Sequence, residues 1–193
     1  MKSKRLQEAF AYASDLHAEQ KRKGANIPYI SHLMGVAAIV LEHGGTEDEA
    51  IAALLHDAVE DQGGRPTLDE IGRRFGDKVA QTVEGCTDAD TIPKPPWRGR
   101  KEKHITHLYE ADASVRLVSA ADKLHNVRTI LADYREVGEA LWNRFQGGKD
   151  GTLWYYRTLA KTFQEIDPSP LVDQLARVVS ELDQLVREAD TLT

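Results

Sequence analysis

The chain has 193 residues and a formal net charge of −6, from 25 lysine and arginine residues against 31 aspartate and glutamate residues. Its 41% apolar and 29% charged content is ordinary for a globular protein and unlike that of a disordered chain. The acidic balance argues against nucleic-acid binding. The sequence contains no run of about 20 apolar residues, which a membrane-spanning helix would need. Because the one cysteine, Cys86, cannot form an internal disulfide, a reducing compartment fits best, and we expect a single cytoplasmic domain.

Apolar residues recur at helical spacing along most of the chain, without a convincing period of two. The sequence therefore predicts an all-α bundle of about eight to ten helices. A first helix is predicted from the apolar repeat that begins at Leu6, and it is expected to end near Gly24. Pro28 then breaks the chain, and Ser31 is placed to cap a second helix that runs to the Gly44-Gly45 pair.

Two Thr-x-x-Glu patterns predict further helix starts, since a threonine and a glutamate three residues apart can satisfy each other's backbone amides. Thr46 with Glu49 opens a helix that places His56 near its middle. Thr67 with Glu70 opens a shorter helix in the same way.

The proline-rich residues 87–96 form the clearest predicted loop. Most of the chemistry-bearing patterns lie within residues 9–133, and we expect residues 134–193 to complete or cover that core, so that residues 1–193 form one domain. The remaining predicted helices follow in chain order over residues 79–83, 97–110, 114–134, 153–163 and 171–186.

Four residues are predicted to form one metal site. His56 and Asp57 are adjacent among apolar neighbours, and Asp122 lies within an apolar helix where a solvated acid is hard to explain. His32 falls in the first turn of the helix after Pro28. Two imidazoles and two carboxylates suit one divalent cation such as Mn²⁺, Fe²⁺ or Zn²⁺, and do not suit a structural zinc.

Two of these residues also have a purely structural interpretation. His32 alone is more often a helix cap or a core hydrogen-bonding residue. Asp122 can pair with Arg116, Lys123 or Arg128, although positions adjacent to it point elsewhere on the helix. The other histidines are expected at the surface or around the ligands, and they are His17, His43, His104, His107 and His125.

Two carboxylates that follow the ligands are candidates for catalysis. Glu60 and Asp61 lie one helical turn beyond His56 and Asp57, close enough to orient or deprotonate a water molecule. The alternative is that they form the charged end of a helix. A divalent cation together with such a base is the combination that hydrolysis of a pyrophosphate ester near neutral pH requires.

Other polar residues are candidates for substrate binding. Arg22 and Lys23 are suited to hold phosphate or to stack on a base. Asn126 and Thr129 follow Asp122 at helical spacing and extend a polar stripe along an apolar helix. A second basic group forms either an electrostatic funnel or a solvated helix face, and it consists of Arg98, Arg100, Lys101 and Lys103.

These segments resemble the HD-domain hydrolases, and more narrowly the hydrolase half of the RelA/SpoT proteins and the small stand-alone alarmone hydrolases. Residues 22–24, 28–32, 55–61 and 121–129 carry the resemblance in the same order. It implies Mn²⁺-dependent removal of the 3′-pyrophosphate from (p)ppGpp, a small nucleotide substrate. It also implies that Asn126 and Thr129 contact the ribose and phosphate, and that the metal ligands are His32, His56, Asp57 and Asp122.

One position departs from the family pattern. Where a lysine usually follows Gly-x-Thr, this chain has Asp88 after Gly85-Cys86-Thr87. The base therefore stays open, and a (p)ppApp hydrolase or removal of a phosphate from NADPH are alternatives. Further alternatives are an HD-type 5′-nucleotidase and a silent nucleotide-sensing module, although a sensor needs no water-activating Glu60 and Asp61. The native metal and the oligomeric state also stay open.

Overall fold

The fold is that of a computed structural model, which describes residues 3–87 and 95–191. Over these ranges the chain is all α-helical, with one isolated β-bridge between Lys21 and Pro28, so the predicted fold class is confirmed. Most of the predicted loop, including Asp88, lies outside the described ranges. The α-helices are α1 (Lys4–Leu16), α2 (Ile30–Glu42), α3 (Glu47–Leu55), α4 (Ala58–Asp61), α5 (Arg65–Phe75), α6 (Asp77–Cys86), α7 (Trp97–Glu110), α8 (Ala113–Val137), α9 (Gly148–Ile166) and α10 (Pro170–Thr191), with a 3-10 helix at Gly138–Arg144.

The long helix α8 packs against α2, α3, α6, α9 and α10. Several of its apolar side chains are fully buried, among them Val118, Ala121, Leu124 and Val127. Asp122 lies within this stretch and exposes only 6% of its surface. Because an ionised carboxylate is costly to bury alone, α8 carries into the core a charge that needs a partner. None of the described helices is long and apolar enough to cross a membrane.

The helix α3 begins as the sequence predicts and ends earlier. Thr46 and Glu49 form the predicted capping box. The predicted helix through His56 is interrupted, because α3 ends at Leu55 and α4 resumes at Ala58. At this break the imidazole of His56 donates a hydrogen bond to the carbonyl of Ala53, an acceptor that a continuing helix would use for a backbone amide.

The first helix also ends earlier than predicted, at Leu16 instead of near Gly24. Beyond it the chain folds back on itself, with the Arg22 amide donating to the Ile27 carbonyl at 2.9 Å and the Tyr29 amide donating to the Gln20 carbonyl at 3.0 Å. Gly24 lies in the turn with a φ of 75°, a conformation that favours glycine. The resulting loop holds Arg22 against the rest of the fold.

Two predicted caps are wrong. The helix α5 begins at Arg65, after Gly64 at a φ of 65° and with a proline in its first turn, so Thr67 lies inside the helix. The hydroxyl of Thr67 donates to the carbonyl of Gln62. In α2 the hydroxyl of Ser31 donates to the carbonyl of Pro28 and does not cap the helix.

The C-terminal helices share the core of the rest of the chain. Phe163 of α9 and Leu175 and Leu182 of α10 are fully buried, and they belong to the same apolar cluster as Leu33 of α2 and Leu55 of α3. The helix α9 is longer at both ends than the predicted helix over 153–163. The packing of α9 and α10 on α8 supports the back of the helix that carries Asp122.

Candidate active site

The imidazole of His56 is oriented by the helix that ends just before it. Its Nδ1 atom lies 2.8 Å from the carbonyl oxygen of Ala53, and because a carbonyl only accepts, Nδ1 carries a proton. The Nε2 atom is buried and has no hydrogen-bond partner among the described residues. It lies 3.0 Å from Oδ2 of Asp57 and 3.6 Å from Oδ1 of Asp122. Nε2 is therefore directed into a small acidic space, as a metal-binding imidazole nitrogen is.

The other predicted ligands converge on the same space. Nε2 of His32 lies 3.2 Å from Oδ1 of Asp122 and 3.5 Å from Oδ2 of Asp57. One ligand atom from each of His32, His56 and Asp57 lies within 4.8 Å of the other two. The fold thus brings together side chains from α2, from the break between α3 and α4, and from α8.

The charges of this cluster fit a divalent cation. Burial alone would lower the pKa of His56, but Asp57 and Asp122 raise it well above its ordinary value. Burial alone would raise the pKa of both aspartates. The neighbouring imidazoles and, for Asp122, the Lys123 ammonium hold each pKa well below its usual range. The two carboxylates stay ionised and require positive charge, which a cation held by the two Nε2 atoms would supply.

Neighbouring side chains hold the two carboxylates in place. The hydroxyl of Tyr29 donates to Oδ2 of Asp57 at 2.6 Å. Burial and the Asp57 charge raise the pKa of Tyr29, so this hydroxyl keeps its proton. The ammonium of Lys123 lies 2.6 Å from Oδ2 of Asp122, and the amide of Asn126 donates to Oδ1. The expectation that residues adjacent to Asp122 point elsewhere is wrong, because the flexible Lys123 side chain curls back to it.

The metal-ligand cluster opens into a cavity of about 200 Å³, which we call the metal cavity. Glu60 and Asp61 both line it, together with His56, Asp57 and Asp122. The carboxylates predicted for catalysis therefore face the same space as three of the ligands. The cavity wall also includes Arg22, Tyr29, Cys86, Lys101, Ser119, Lys123 and Asn126.

Arg22 stands between the metal cavity and a second cavity of about 330 Å³, which we call the outer cavity. Its guanidinium donates to Oδ1 of Asn126 at 2.7 Å and lies 5.7 Å from the centroid of the Tyr29 ring. The loop between α1 and α2 places it there. A ligand that bridges the two cavities would pass along this guanidinium.

The outer cavity contains the remaining predicted substrate residues. Lys23 and Thr129 line the outer cavity and are absent from the wall of the metal cavity. The ammonium of Lys23 lies 5.8 Å from the centroid of the Phe145 ring, and the hydroxyl of Thr129 donates to the backbone carbonyl of His125. Its wall mixes these polar groups with Ile27, Ile130, Phe145 and Tyr156. The composition suits a planar, partly apolar group such as a nucleoside.

The second basic group divides into residues that reach the site and residues that do not. Lys101 lines the metal cavity, and Nη1 of Arg100 lies 4.0 Å from Oε1 of Glu60. The guanidinium of Arg98 instead stacks on the ring of Trp154, with its carbon 3.2 Å from the ring centroid, and Lys103 is exposed. The start of α7 therefore adds one cation to the wall of the metal cavity and places a second cation near Glu60.

Several contacts of the site are not predicted from the sequence. Tyr29 lies three residues before the predicted ligand His32 and Lys123 directly follows Asp122, so closeness in sequence to a ligand is the signal that could indicate their contacts with the carboxylates. Gln20 and His125 contact site residues across long stretches of chain, and spacing alone does not reveal such contacts.

Burial raises the pKa of Cys86 to about 11, so this residue of the cavity wall stays a thiol at neutral pH.

The fold and the site define an all-α protein with a buried His-Asp cluster suited to a divalent metal. Residues 9–153 match the HD domain family, and the chain belongs to that family. The chain is 41% identical over 126 residues to the guanosine-3′,5′-bis(diphosphate) 3′-pyrophosphohydrolase MESH1 of Xenopus tropicalis, covering 64% of this chain and 68% of the relative. Against MESH1 of Homo sapiens the identity is 40% over 128 residues, covering 65% and 69%.

A longer relative and two solved structures extend this comparison. The chain is 38% identical over 125 residues to guanosine-3′,5′-bis(diphosphate) 3′-pyrophosphohydrolase of Aquifex aeolicus, covering 65% of this chain and 18% of the relative. A structure of a metazoan ortholog of SpoT shares the fold, with a TM-score of 0.78 over 94% of this chain and 97% of that chain at 24% identity. A structure from Listeria monocytogenes EGD-e has a TM-score of 0.69 and 30% identity, covering 78% and 97%. The resemblance to SpoT-type and stand-alone hydrolases is confirmed.

Proposed function

We propose that the chain is a metal-dependent hydrolase that removes the 3′-pyrophosphate of guanosine-3′,5′-bis(diphosphate) and related alarmones. The observation that carries the proposal is the convergence of two buried imidazoles and two carboxylates at a cavity that Glu60 and Asp61 also line. The names of the MESH1 and Aquifex aeolicus relatives support the reaction. The acidic Asp88 leaves the preference between guanine and adenine to experiment.

The metal is proposed to be one divalent cation, Mn²⁺ before Fe²⁺ or Zn²⁺, held by His32, His56, Asp57 and Asp122. Such a cation, when bound, lowers the pKa of a bound water and screens the charge of phosphate oxygens. The mixed nitrogen and oxygen donor set suits all three ions. Tyr29 and Lys123 hold the carboxylates in the orientation that binding needs.

Glu60 and Asp61 are proposed to orient the attacking water and to accept its proton. Both line the metal cavity. The amide of Gln20 donates to Oδ2 of Asp61 and so orients the carboxylate that is proposed as the base. Arg22, Lys101 and Lys123 line the same cavity and are suited to neutralise the pyrophosphate during its release.

The nucleoside is proposed to lie in the outer cavity. Lys23 and Phe145 offer a cation and an aromatic face to the base, and Asn126 lies at the junction of the two cavities. Thr129 completes the polar part of the wall. In this proposed orientation the sugar lies near the metal cavity and the base away from it, as hydrolysis at the 3′ position requires.

The rest of the molecule is proposed to serve this site. The C-terminal helices share one core with residues 9–133, which supports a single domain over 1–193. We propose a small nucleotide as the substrate, no nucleic-acid or membrane partner, and a location in the cytoplasm. The net charge of −6 and the single cysteine support these assignments.

The proposal is tested by incubating the purified chain with Mn²⁺ and a nucleotide panel, with the products identified by mass spectrometry. The panel contains ppGpp, pppGpp, ppApp, NADPH and nucleoside 5′-monophosphates. We expect GDP or GTP together with intact pyrophosphate, and no product after chelation of the metal. Cleavage of 5′-monophosphates alone would identify a 5′-nucleotidase. Orthophosphate released from an alarmone would contradict the proposed bond of attack.

A further inference from the structure

A second histidine contacts the predicted ligand His32 on the side away from the metal cavity. The Nδ1 atoms of His32 and His125 lie 2.9 Å apart, at hydrogen-bond distance, and their rings meet edge to face with centroids 4.8 Å apart. Two ring nitrogens at this distance require one proton between them. The identity of the donor therefore fixes the tautomer of both rings.

The position of His32 decides which ring donates. Its Nε2 atom lies 3.2 Å from Asp122 and 3.5 Å from Asp57, so this nitrogen faces the cation site. It binds a cation only through its lone pair, and the proton must then lie on Nδ1. His125 is the acceptor of that proton. If His125 donated instead, the proton of His32 would lie on Nε2 and block the ligand atom.

The backbone leaves room for this second ring at one glycine. Gly35 lies on α2, one turn beyond His32, and a Cβ atom at Gly35 would lie 2.3 Å from both Cδ2 and Nε2 of the His125 ring. Glycine is unfavourable within a helix. At this position it allows the close approach of the ring. The fold therefore accommodates the ring of His125 in two ways. His32 forms a hydrogen bond with it, and Gly35 has no side chain that would clash with it.

We infer that His125 is a positioning residue that holds His32 in its metal-binding tautomer, with Gly35 providing the space for its ring. The inference rests on the proposed metal site. His125 lies three residues after Asp122, so α8 supplies both a ligand and the group that orients another ligand. His125 also lines the outer cavity, so its ring connects the proposed nucleoside position to the metal ligands.

The experiment compares Mn²⁺ affinity by calorimetric titration in the wild type, His125→Ala, His125→Asn and Gly35→Ala. We expect His125→Ala to bind Mn²⁺ about 10- to 100-fold more weakly, as loss of a group that orients a metal ligand does. His125→Asn keeps an acceptor near the Nδ1 position and should recover much of the affinity. Gly35→Ala should weaken binding by displacing the ring, and His43→Ala, in a remote histidine, serves as the matched control.

Two further measurements separate this role from a general structural one. In the double variant Gly35→Ala/His125→Ala the added methyl should cost little beyond His125→Ala, because the ring that it displaces is already gone. Nitrogen-15 spectra of the ring of His32, recorded on the metal-free protein, should show the Nδ1–H tautomer in the wild type and a loss of that preference in His125→Ala. Circular dichroism checks that each variant is folded.

The possible results distinguish the role of His125 from the metal site and from the proposed reaction. Wild-type Mn²⁺ affinity and an unchanged His32 tautomer in folded His125→Ala would overturn the inference. Equal losses in His125→Asn and His125→Ala would overturn it too, because a retained acceptor would then be irrelevant. A wild-type chain that binds neither Mn²⁺ nor Zn²⁺ would overturn the metal site itself. Metal binding without alarmone hydrolysis would contradict the proposed reaction and leave the role of His125 intact.

Discussion

The side-chain amide of Gln20 donates a hydrogen bond of 2.8 Å to Oδ2 of Asp61. The orientation of this amide is fixed at its other end, because Oε1 accepts from the amide of Gln62 at 2.6 Å and lies 2.6 Å from Nδ1 of His17. With its oxygen engaged twice, Gln20 presents only its NH₂ group to Asp61. The proposed base is thus held by a residue that is not itself one of the predicted metal ligands.

Replacing Gln20 by methionine removes these hydrogen bonds while keeping the side-chain length. We expect kcat to fall by up to about 10²-fold, because a misplaced base loses its alignment with the water. Mn²⁺ affinity should change little. The comparison is Gln184→Met, in an exposed glutamine of α10, for which kcat should stay at the wild-type value. An unchanged kcat in Gln20→Met would mean that Asp61 needs no such support.

The second prediction separates catalysis from metal binding. Glu60→Gln and Asp61→Asn keep side-chain shape and remove the basic oxygen, and at least one should lose about 10²-fold or more in kcat. Bound metal, measured by elemental analysis after dialysis, should stay stoichiometric in both. Loss of metal from both variants would show instead that these carboxylates are ligands or structural supports.

The sequence predicts those parts of this molecule that depend on local chemistry. The capping box at Thr46 forms as expected because all its partners lie within three residues. The same pattern fails at Thr67, since Gly64 and the proline after Arg65 allow the helix to begin earlier. The four ligands are predicted because each is a polar residue in an apolar segment, and burial of such residues demands a partner.

Long-range contacts and backbone breaks are not predicted in the same way. The break at His56 depends on a side chain that takes a backbone acceptor, which the helical spacing of its neighbours conceals. The contact between His32 and His125 spans 93 positions, and that between Gln20 and Asp61 spans 41. Only the packing of α2 against α8 and of the first loop against α4 brings these pairs together.

The third prediction concerns stability and pH. Burial alone would raise the pKa of Glu49, but hydrogen bonds from Thr46 and Ser114 hold it below its ordinary value. The unfolded chain then binds more protons, so the contribution of Glu49 is present above its unfolded pKa and is lost as the pH falls through the lower folded pKa.

Glu49→Ala should therefore lower the free energy of unfolding by about 1 kcal/mol at pH 7. Urea titrations should show this difference shrinking as the pH falls below about 4.3, the ordinary pKa of an unfolded glutamate, and disappearing below the lower folded pKa. Glu49→Gln keeps an acceptor oxygen and should lie between the two at pH 7. A difference that is constant with pH would mean that the carboxylate charge does not contribute.

The fourth prediction concerns removal of the metal. A ligand that binds only the native state stabilises it by about 2.7 kcal/mol at 100 times its dissociation constant. For a chain of this length we expect Mn²⁺ to raise Tm by about 5–10 °C and a chelator to reverse the change. His56→Ala should stay helical, bind no metal and show no such shift, and it should have lost activity. If Mn²⁺ raised the Tm of that variant as much as it raises the Tm of the wild type, His56 would not be a metal ligand.

The last prediction concerns substrate binding by Arg22. Its guanidinium lies between the two cavities and donates to Asn126, which in turn contacts Asp122. Arg22→Ala should raise KM for the preferred alarmone about 10- to 100-fold, the scale of lost hydrogen bonds to a charged group, because it removes a cation that the phosphates would contact. Metal affinity should fall far less, since Arg22 contacts Asn126 and Tyr29, which are not themselves ligands.

The control for this variant is Lys21→Ala, which removes a neighbouring cation of the same loop that is exposed and bonded to Asn26. Its KM should equal that of the wild type. Lys23→Ala should raise KM less than Arg22→Ala, because Lys23 lines only the outer cavity and would contact the base without the pyrophosphate. Steady-state kinetics at saturating Mn²⁺ measure all three. If Arg22→Ala and Lys21→Ala gave the same KM, the guanidinium would have no part in binding, and the path between the two cavities would need another cation.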